Sequence, residues 1–377
     1  MKRKTYILGG IAFVVLALSI FGVWSWQKSL SNYRAETTET TTDLQDSLVF
    51  FERNTSQHTD AVFGCWYDAG DYLVFSPRTA EAAWYLSLAY KTAQNKSDKD
   101  AILQTILPAI NCVEEMDKLG HKQYRDARSH ASRLPPELHT LVTPDSTYSY
   151  SPGEGRDVAL FLSLIYTNLG NISQAEFWLD KARERQQITK SEECCEEGPL
   201  MISETDMQAL EFLAGLSTTP AYPSKAIWGG QLPAIAEILK GDPERAKRVL
   251  SYVDENWTPE NTDFKYIGGN YDIVGTSAIT CLFEKRTGDN SFRNLLSNLD
   301  DYIHGKNPYN QDFTKLGKDI YHPCAWYNAC ELPNTLVNGV DESGEFDLNR
   351  KDVWRISEVQ TVGQAVYVLS EACTLSE

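Results

Sequence analysis

Positive charge is in short supply in this chain of 377 residues, which sets 35 Lys and Arg against 52 Asp and Glu for a formal charge of −17. Such a surface repels nucleic-acid phosphates, which excludes nucleic acid as a partner, while a neutral glycan is indifferent to it. Strand-like alternation is also scarce, so the pattern points to an all-α fold. None of the eight cysteines stands in a Cys-x-x-Cys pair, so the spacing lends a zinc centre no support. No Ala-x-Ala end closes the apolar run at the N-terminus, which argues against a cleaved signal peptide.

That run itself is long. Lys2-Arg3-Lys4 precedes apolar sequence from Tyr6 to Trp26, and a membrane-spanning helix needs about 20 such residues. The expectation is a cytoplasmic basic tail at 1–5, a transmembrane signal anchor at 6–26 inserted in the lipid bilayer, and everything beyond it outside the cytoplasm. Residues 27–43, with their TETTTD stretch, read as a polar spacer, and 44–377 as one large domain. Disulfides are possible in an exported domain, and the sequence leaves their pairing open.

Helical spacing recurs along that domain. It predicts helices at Leu44–Arg53, Arg78–Ala93, Lys99–Leu119, Gly155–Leu169, Ser173–Gln187, Ser203–Leu216, Pro223–Leu239, Pro243–Glu255, Tyr271–Arg286, Ser291–His304 and Ser357–Cys373. Asp98 is the expected N-cap of the third, and Trp84 is expected in the core. The stretches Gly120–Pro152 and Gly305–Lys351 show almost no helical period, and connections that long in a compact domain are usually functional or disordered.

The chemistry starts at Cys65-Trp66-Tyr67-Asp68-Ala69-Gly70-Asp71-Tyr72, which sets two carboxylates three residues apart among three aromatic rings. A carboxylate can activate water, aromatic faces stack on sugars, and the glycine leaves room for close approach. The segment resembles the signature of glycoside hydrolase family 9, the cellulase family with an (α/α)6 barrel. Three further stretches follow the family's order: the first helix from Leu44, His304-Gly305-Lys306-Asn307-Pro308 as the Gly-x-Asn-Pro turn, and Phe346 to Ala365 as the segment carrying the acid. In the last of these, Trp354 stands four positions before Glu358.

The resemblance implies an inverting hydrolase of β-1,4-linked glucan, with Asp71 as general base, Asp68 helping to hold the water and Glu358 as general acid. Such a pair stands about 6.5–9.5 Å apart, leaving room for the water. Glu358 would need a raised pKa, which desolvation by Val359 and Trp354 could supply. Read alone, Glu358 is also a carboxylate suited to the first turn of the last helix. Trp66, Tyr67, Trp228, Trp326, His322 and Arg350 are the candidate substrate-binding residues, the partner being a β-linked polysaccharide or oligosaccharide. No cofactor is required. A structural calcium or zinc, held by some relatives, is compatible with the chain.

The chain departs from the family pattern in three places. Its substrate loop reads Tyr321-His322-Pro323-Cys324-Ala325-Trp326 and lacks the arginine of the family's His-x-Arg cluster. Gly363 and Gln364 stand where the family has a tyrosine and an asparagine. Asp347 and Arg350 represent an aspartate-arginine pair displaced by about one residue. An exo-acting β-glucosaminidase or oligosaccharide hydrolase of the same family, and a glycan-binding barrel without turnover, therefore stay open beside the endoglucanase. No separate cellulose-binding module is expected. Sequons occur at Asn54, Asn95, Asn171 and Asn256.

Overall fold

The structure, a computed structural model, describes residues 42–56, 63–69, 73–125, 146–149, 152–191, 204–217, 231–260, 268–320, 332–340, 343–349 and 354–374. The expected anchor at 6–26 and most of the spacer lie outside them. Among the described residues, no helix is long and apolar enough to cross a membrane.

The helices are α1 (Asp43–Arg53), α2 (Ser76–Thr92), α3 (Lys96–Lys118), α4 (Pro152–Asn168), α5 (Ile172–Ser191), α6 (Glu204–Ala214), α7 (Gln231–Lys240), α8 (Pro243–Asn256), α9 (Gly269–Thr287), α10 (Arg293–Ile303), the single turn α11 (Trp354–Ser357) and α12 (Thr361–Thr374). Each of the eleven helices expected from the sequence has its counterpart here. The segment 223–230, expected to begin the seventh, is outside the described residues. Starts are set by local chemistry: Asp242 accepts from the Glu244 N–H and Pro243 follows at the first helical position of α8. In α3 the cap is Asn95, not Asp98. Its side chain accepts from the Asp98 N–H at 2.7 Å, which moves the start three residues upstream and puts Asp98 inside the first turn.

Six helices close a ring, in which α2 packs on α4, α4 on α6, α6 on α7, α7 on α9, α9 on α12 and α12 back on α2. Outside it, α1, α3, α5, α8 and α10 each back onto ring members. The ring helices are apolar nearly all round: Ala80, Ala83, Trp84, Leu86 and Ala89 of α2 are buried, as are Ile273, Ala278, Ile279 and Phe283 of α9 and Ala365, Val368 and Leu369 of α12. Trp84 sits in this core against Tyr85 and Phe161, as expected. Charge ties the two layers together where they meet, with the buried carboxylate of Asp117 on α3 held by Lys181 and Arg185 of α5 at 3.0 and 2.7 Å.

Two disulfides fix the pairing that the sequence left open. Cys65 joins Cys112 on α3, and Cys281 on α9 joins Cys373 on α12. Cys194, Cys195, Cys324 and Cys330 lie outside the described residues. The connection expected to be irregular after Gly120 holds two strands, β2 (His121–Arg125) and β3 (Ser146–Ser149). With β1 (Leu73–Phe75) they form an antiparallel sheet in the order β1-β2-β3. Strands this short carry too few residues for a period of two to stand out in the sequence.

Candidate active site

The aspartate-bearing segment runs from the end of α1 into β1 and is braced at both ends. Ser56 N–H donates to the Cys65 carbonyl at 2.8 Å, Tyr67 N–H to Asn54 at 3.2 Å, and Asp68 N–H to Leu73 at 2.8 Å. The last bond ties half-buried Asp68 to the first residue of β1 (Leu73–Phe75). Asp71 lies outside the described residues. Trp66 and Tyr67 were expected to offer stacking faces, and the structure corrects this. Trp66 is 2% exposed and packs edge-on against Phe51, and Tyr67 is 4% exposed. Both rings belong to the core, and Asp68, the next residue, is the first to reach the half-exposed surface.

Glu358 is placed differently from the sequence reading. The last helix begins at Thr361, so Glu358 lies in the break between α11 and α12 and not in the first turn of a helix. It is half-buried, with Val359 wholly in the core. Its backbone is gripped on three sides: its N–H donates to Trp354 at 3.1 Å, and its carbonyl accepts from the Asn338 N–H at 2.9 Å and from the Tyr271 hydroxyl at 3.1 Å. Tyr271 Oη also accepts from the Gln360 N–H at 2.9 Å, and the Gln360 side chain donates to Asn338 Oδ1 at 3.1 Å.

The two segments are stitched directly to each other. Thr361 N–H donates to the Asp68 carbonyl at 2.9 Å, and the Thr361 hydroxyl donates to the Tyr67 carbonyl. Buried Asn54 completes the seam, its Nδ2 donating to the Tyr67 carbonyl at 2.6 Å and to Thr361 Oγ1 at 2.9 Å. The ring thus brings the aspartate turn against the residues that follow Glu358, from opposite ends of the sequence.

Beside Asp68 the sequence reading missed an ionisable group of residues on the ring helices. Arg78 and Glu81 of α2 pair at 2.8 Å. Glu81 holds Arg78 charged against the cost of burial, with Asp68 and Asp206 adding to it. Burial raises the Glu81 carboxyl, opposed by Arg78. Asp206 of α6 and Asp272 of α9 act on buried Tyr85 as well. The signal available in the sequence was a helix face carrying Arg78 and Glu81 at i,i+3 within an otherwise apolar run.

The Asn-Pro turn is built on one side chain. Asn307 donates to the Tyr302 and Gln311 carbonyls at 2.6 and 2.7 Å and accepts from the Tyr309 and Gln311 N–H groups. Just before it, His304 faces Asp300 through Nε2 and Asp312 through Nδ1. Asp300, His304 and Glu371 bring ligand atoms within 4.8 Å of one another, and the imidazole nitrogen suits zinc in type and not calcium, which takes oxygen ligands. The imidazole, however, is already shared between two carboxylates as a cation. Its pKa is raised to about 10 by hydrogen bonds to Asp300 and then Asp312, against burial. His322, Trp326, Trp228 and Arg350 lie outside the described residues. Asp347 is exposed and caps its own turn through the Asn349 N–H.

No protein-family model matches the sequence, and no curated protein does. Among solved structures, the cellulase Cel9M of C. cellulolyticum matches over 90% of this chain and 99% of its own, with a TM-score of 0.65 at 17% identity. Endoglucanase CelQ from Clostridium thermocellum, complexed with cellotriose, matches over 89% of this chain and 70% of its own, with a TM-score of 0.68 at 17% identity. The fold is that of the family 9 cellulases. A metagenome-derived family 9 endoglucanase agrees, covering 88% of this chain and 80% of its own with a TM-score of 0.65 at 13% identity.

The family 9 fold gives two sequence departures a physical account. Gln364 spans a gap in the core, accepting from the Leu336 N–H at 2.9 Å and donating to the Ser47 carbonyl at 2.8 Å. Gly363 has no side chain because another residue fills its place. A Cβ there would stand 2.1 Å from Cδ1 and 2.3 Å from Cε1 of the Tyr271 ring.

Proposed function

We propose that this chain is a glycoside hydrolase that cleaves β-1,4-linked glucan with inversion, as an endoglucanase, with Asp71 as general base, Asp68 holding the water and Glu358 as general acid. The observation that carries the reading is the seam from Thr361 to Asp68 and Tyr67, which sets the WYDAGDY segment beside the Glu358 segment within a family 9 fold. Inversion needs a base on one face of the sugar and an acid on the other, and residues this far apart in sequence can face each other only across a folded cleft. The neighbours complexed with cellobiose, cellotriose and cellotetraose support a cello-oligosaccharide as ligand. Arg350, His322, Trp228 and Trp326 are the proposed sugar contacts.

The domain works outside the cytoplasm, tethered by residues 6–26. Two disulfides support an oxidising compartment, and the basic residues 2–4 support a cytoplasmic N-terminus.

A glycan-binding barrel without turnover is the second reading, favoured by the missing arginine after His322. One experiment separates the two. The domain from Thr40 onward is incubated with β-1,4-glucans and glucosaminide oligomers, and the anomer first released is followed by NMR beside Asp71→Ala and Glu358→Ala. Release of the α-anomer, abolished by either substitution, is the expected result. Binding without turnover that survives both substitutions would sink the enzyme.

A further inference from the structure

Glu358 lies in the break between α11 and α12. The two peptides that follow it, on either side of Val359, share one phenol. Tyr271, from the first turn of α9, donates its hydroxyl to the Glu358 carbonyl at 3.1 Å and accepts the Gln360 N–H at 2.9 Å. The same oxygen lies 3.5 Å from the Leu336 carbonyl, so it sits where three strands of backbone meet. The ring is 7% exposed, and it occupies the volume that any side chain at position 363 would need.

The Tyr271 backbone is fixed in turn. Its N–H donates to Gly268 at 3.0 Å, and its carbonyl accepts from Gln231 Nε2 on α7 at 2.9 Å. Neighbouring Asn270 donates through Nδ2 to the Val337 carbonyl at 3.1 Å. The phenol therefore carries the rigidity of two ring helices, α7 and α9, to the peptide that bears Glu358. Small displacements of a reacting group cost large factors in rate, and an acid acting by proton transfer must stand within hydrogen-bond reach of the leaving oxygen.

We propose that Tyr271 is a positioning residue for Glu358: its hydroxyl fixes the Glu358 and Gln360 peptides, and Gly363 exists to admit its ring. The proposal rests on Glu358 being the general acid. It explains how the segment dispenses with a side chain at 363, since the aromatic ring is supplied by another helix. It also names a coupled pair, Tyr271 and Gly363, neither of which touches substrate.

The test compares wild type with Tyr271→Phe, which keeps the ring and removes the hydroxyl, and with Gly363→Ala, which keeps the hydroxyl and displaces the ring. Tyr166→Phe is the control, because it removes a phenol hydroxyl that bonds Glu114 instead. Turnover of a β-1,4-glucan and titration of the Glu358 carboxyl by 13C NMR are both read. Both test variants should lose about 10- to 100-fold in kcat with KM within about threefold. The Glu358 titration should move in both and stay in the control. A Tyr271→Phe protein with unchanged kcat and unchanged Glu358 titration overturns the proposal. If wild type turns over no glucan while the Glu358 titration still moves in both test variants, the positioning stands and the hydrolase reading falls. If neither is seen, both fall.

Discussion

The backbone N–H of Thr361 donates to the carbonyl of Asp68 at 2.9 Å, so the first turn of the last helix is bonded to the aspartate turn near the start of the domain. The Thr361 hydroxyl and Asn54 add a buried bond network to this contact. The network is fully internal, and buried polar groups that lose a partner cost more than the partner's bond contributed.

Thr361→Val keeps the N–H and the shape and removes the hydroxyl. It should cost about 1–3 kcal/mol in urea unfolding and lower kcat by more than it raises KM, because it loosens the two segments proposed to carry the reaction against each other. A variant as stable and as active as wild type would show that the seam is incidental.

Asn54 is a sequon by sequence and a structural residue by position. It is wholly buried and its amide donates to both the Tyr67 carbonyl and Thr361 Oγ1, so a glycan there is incompatible with the fold. Expressed in a glycosylating host, the protein should carry sugar at exposed Asn171 and none at Asn54. Peptide mapping decides it, and a glycan on Asn54 of folded protein would contradict the seam.

The fold was legible because eleven amphipathic or apolar helical stretches leave a long periodic record, and the aspartate turn was legible because its residue types are unusual together. What escaped was non-local. Trp66 and Tyr67 look like sugar-stacking rings in a string, yet both are buried, bridged to Thr55 after α1 and to Val74 of β1. Gly363 looks like a loss until Tyr271 is seen filling its space. Short strands and helix breaks, such as the one holding Glu358, are set by tertiary bonds and leave no period to read.

Stability should fall as pH rises. His304 has its pKa raised to about 10, first by Asp300 and then Asp312, and Glu371 is raised to about 7 by burial, partly offset by His304. Both lie above their unfolded values. The His304 pairing therefore contributes fully below about pH 6.5 and is lost as pH rises through about 10. Glu371 is comfortable in the fold while neutral, and that advantage is lost between about pH 4.5 and 7. Unfolding free energies from urea titrations at pH 5, 7 and 9 should decline, by a total on the order of 2 kcal/mol. Glu371→Gln should flatten the lower interval and His304→Gln the upper. A profile that rises with pH would contradict the arrangement of Asp300, Asp312, Glu371 and His304.

The Cys281–Cys373 bridge joins two adjacent ring helices, α9 and α12, across a sequence separation of 92. Cross-links across long loops restrict the unfolded chain most, and removing one typically costs about 2–5 kcal/mol. Cys281→Ser with Cys373→Ser should lower the midpoint accordingly, and reductant should lower it at least as far. An unchanged midpoint would mean that the pair is not joined in the native protein.

Gly64 tests the packing under the aspartate turn. Its φ is +97°, and a Cβ there would stand 2.6 Å from the carbonyl oxygen of Pro108 on α3, next to the Cys65–Cys112 bridge. Backbone cannot step aside as a side chain can, so Gly64→Ala combines the positive-φ penalty of about 1–2 kcal/mol with a clash against a helix. Gly170, at φ +79° with nothing within 4 Å of its would-be Cβ, isolates the first of these terms. Gly170→Ala should therefore cost about 1 kcal/mol and Gly64→Ala clearly more, with the excess appearing as slower turnover too, because Cys65, Trp66 and Tyr67 lead straight from Gly64 to Asp68. Equal losses in the two variants, measured by urea unfolding, would mean that the Gly64 segment does not rest on Pro108.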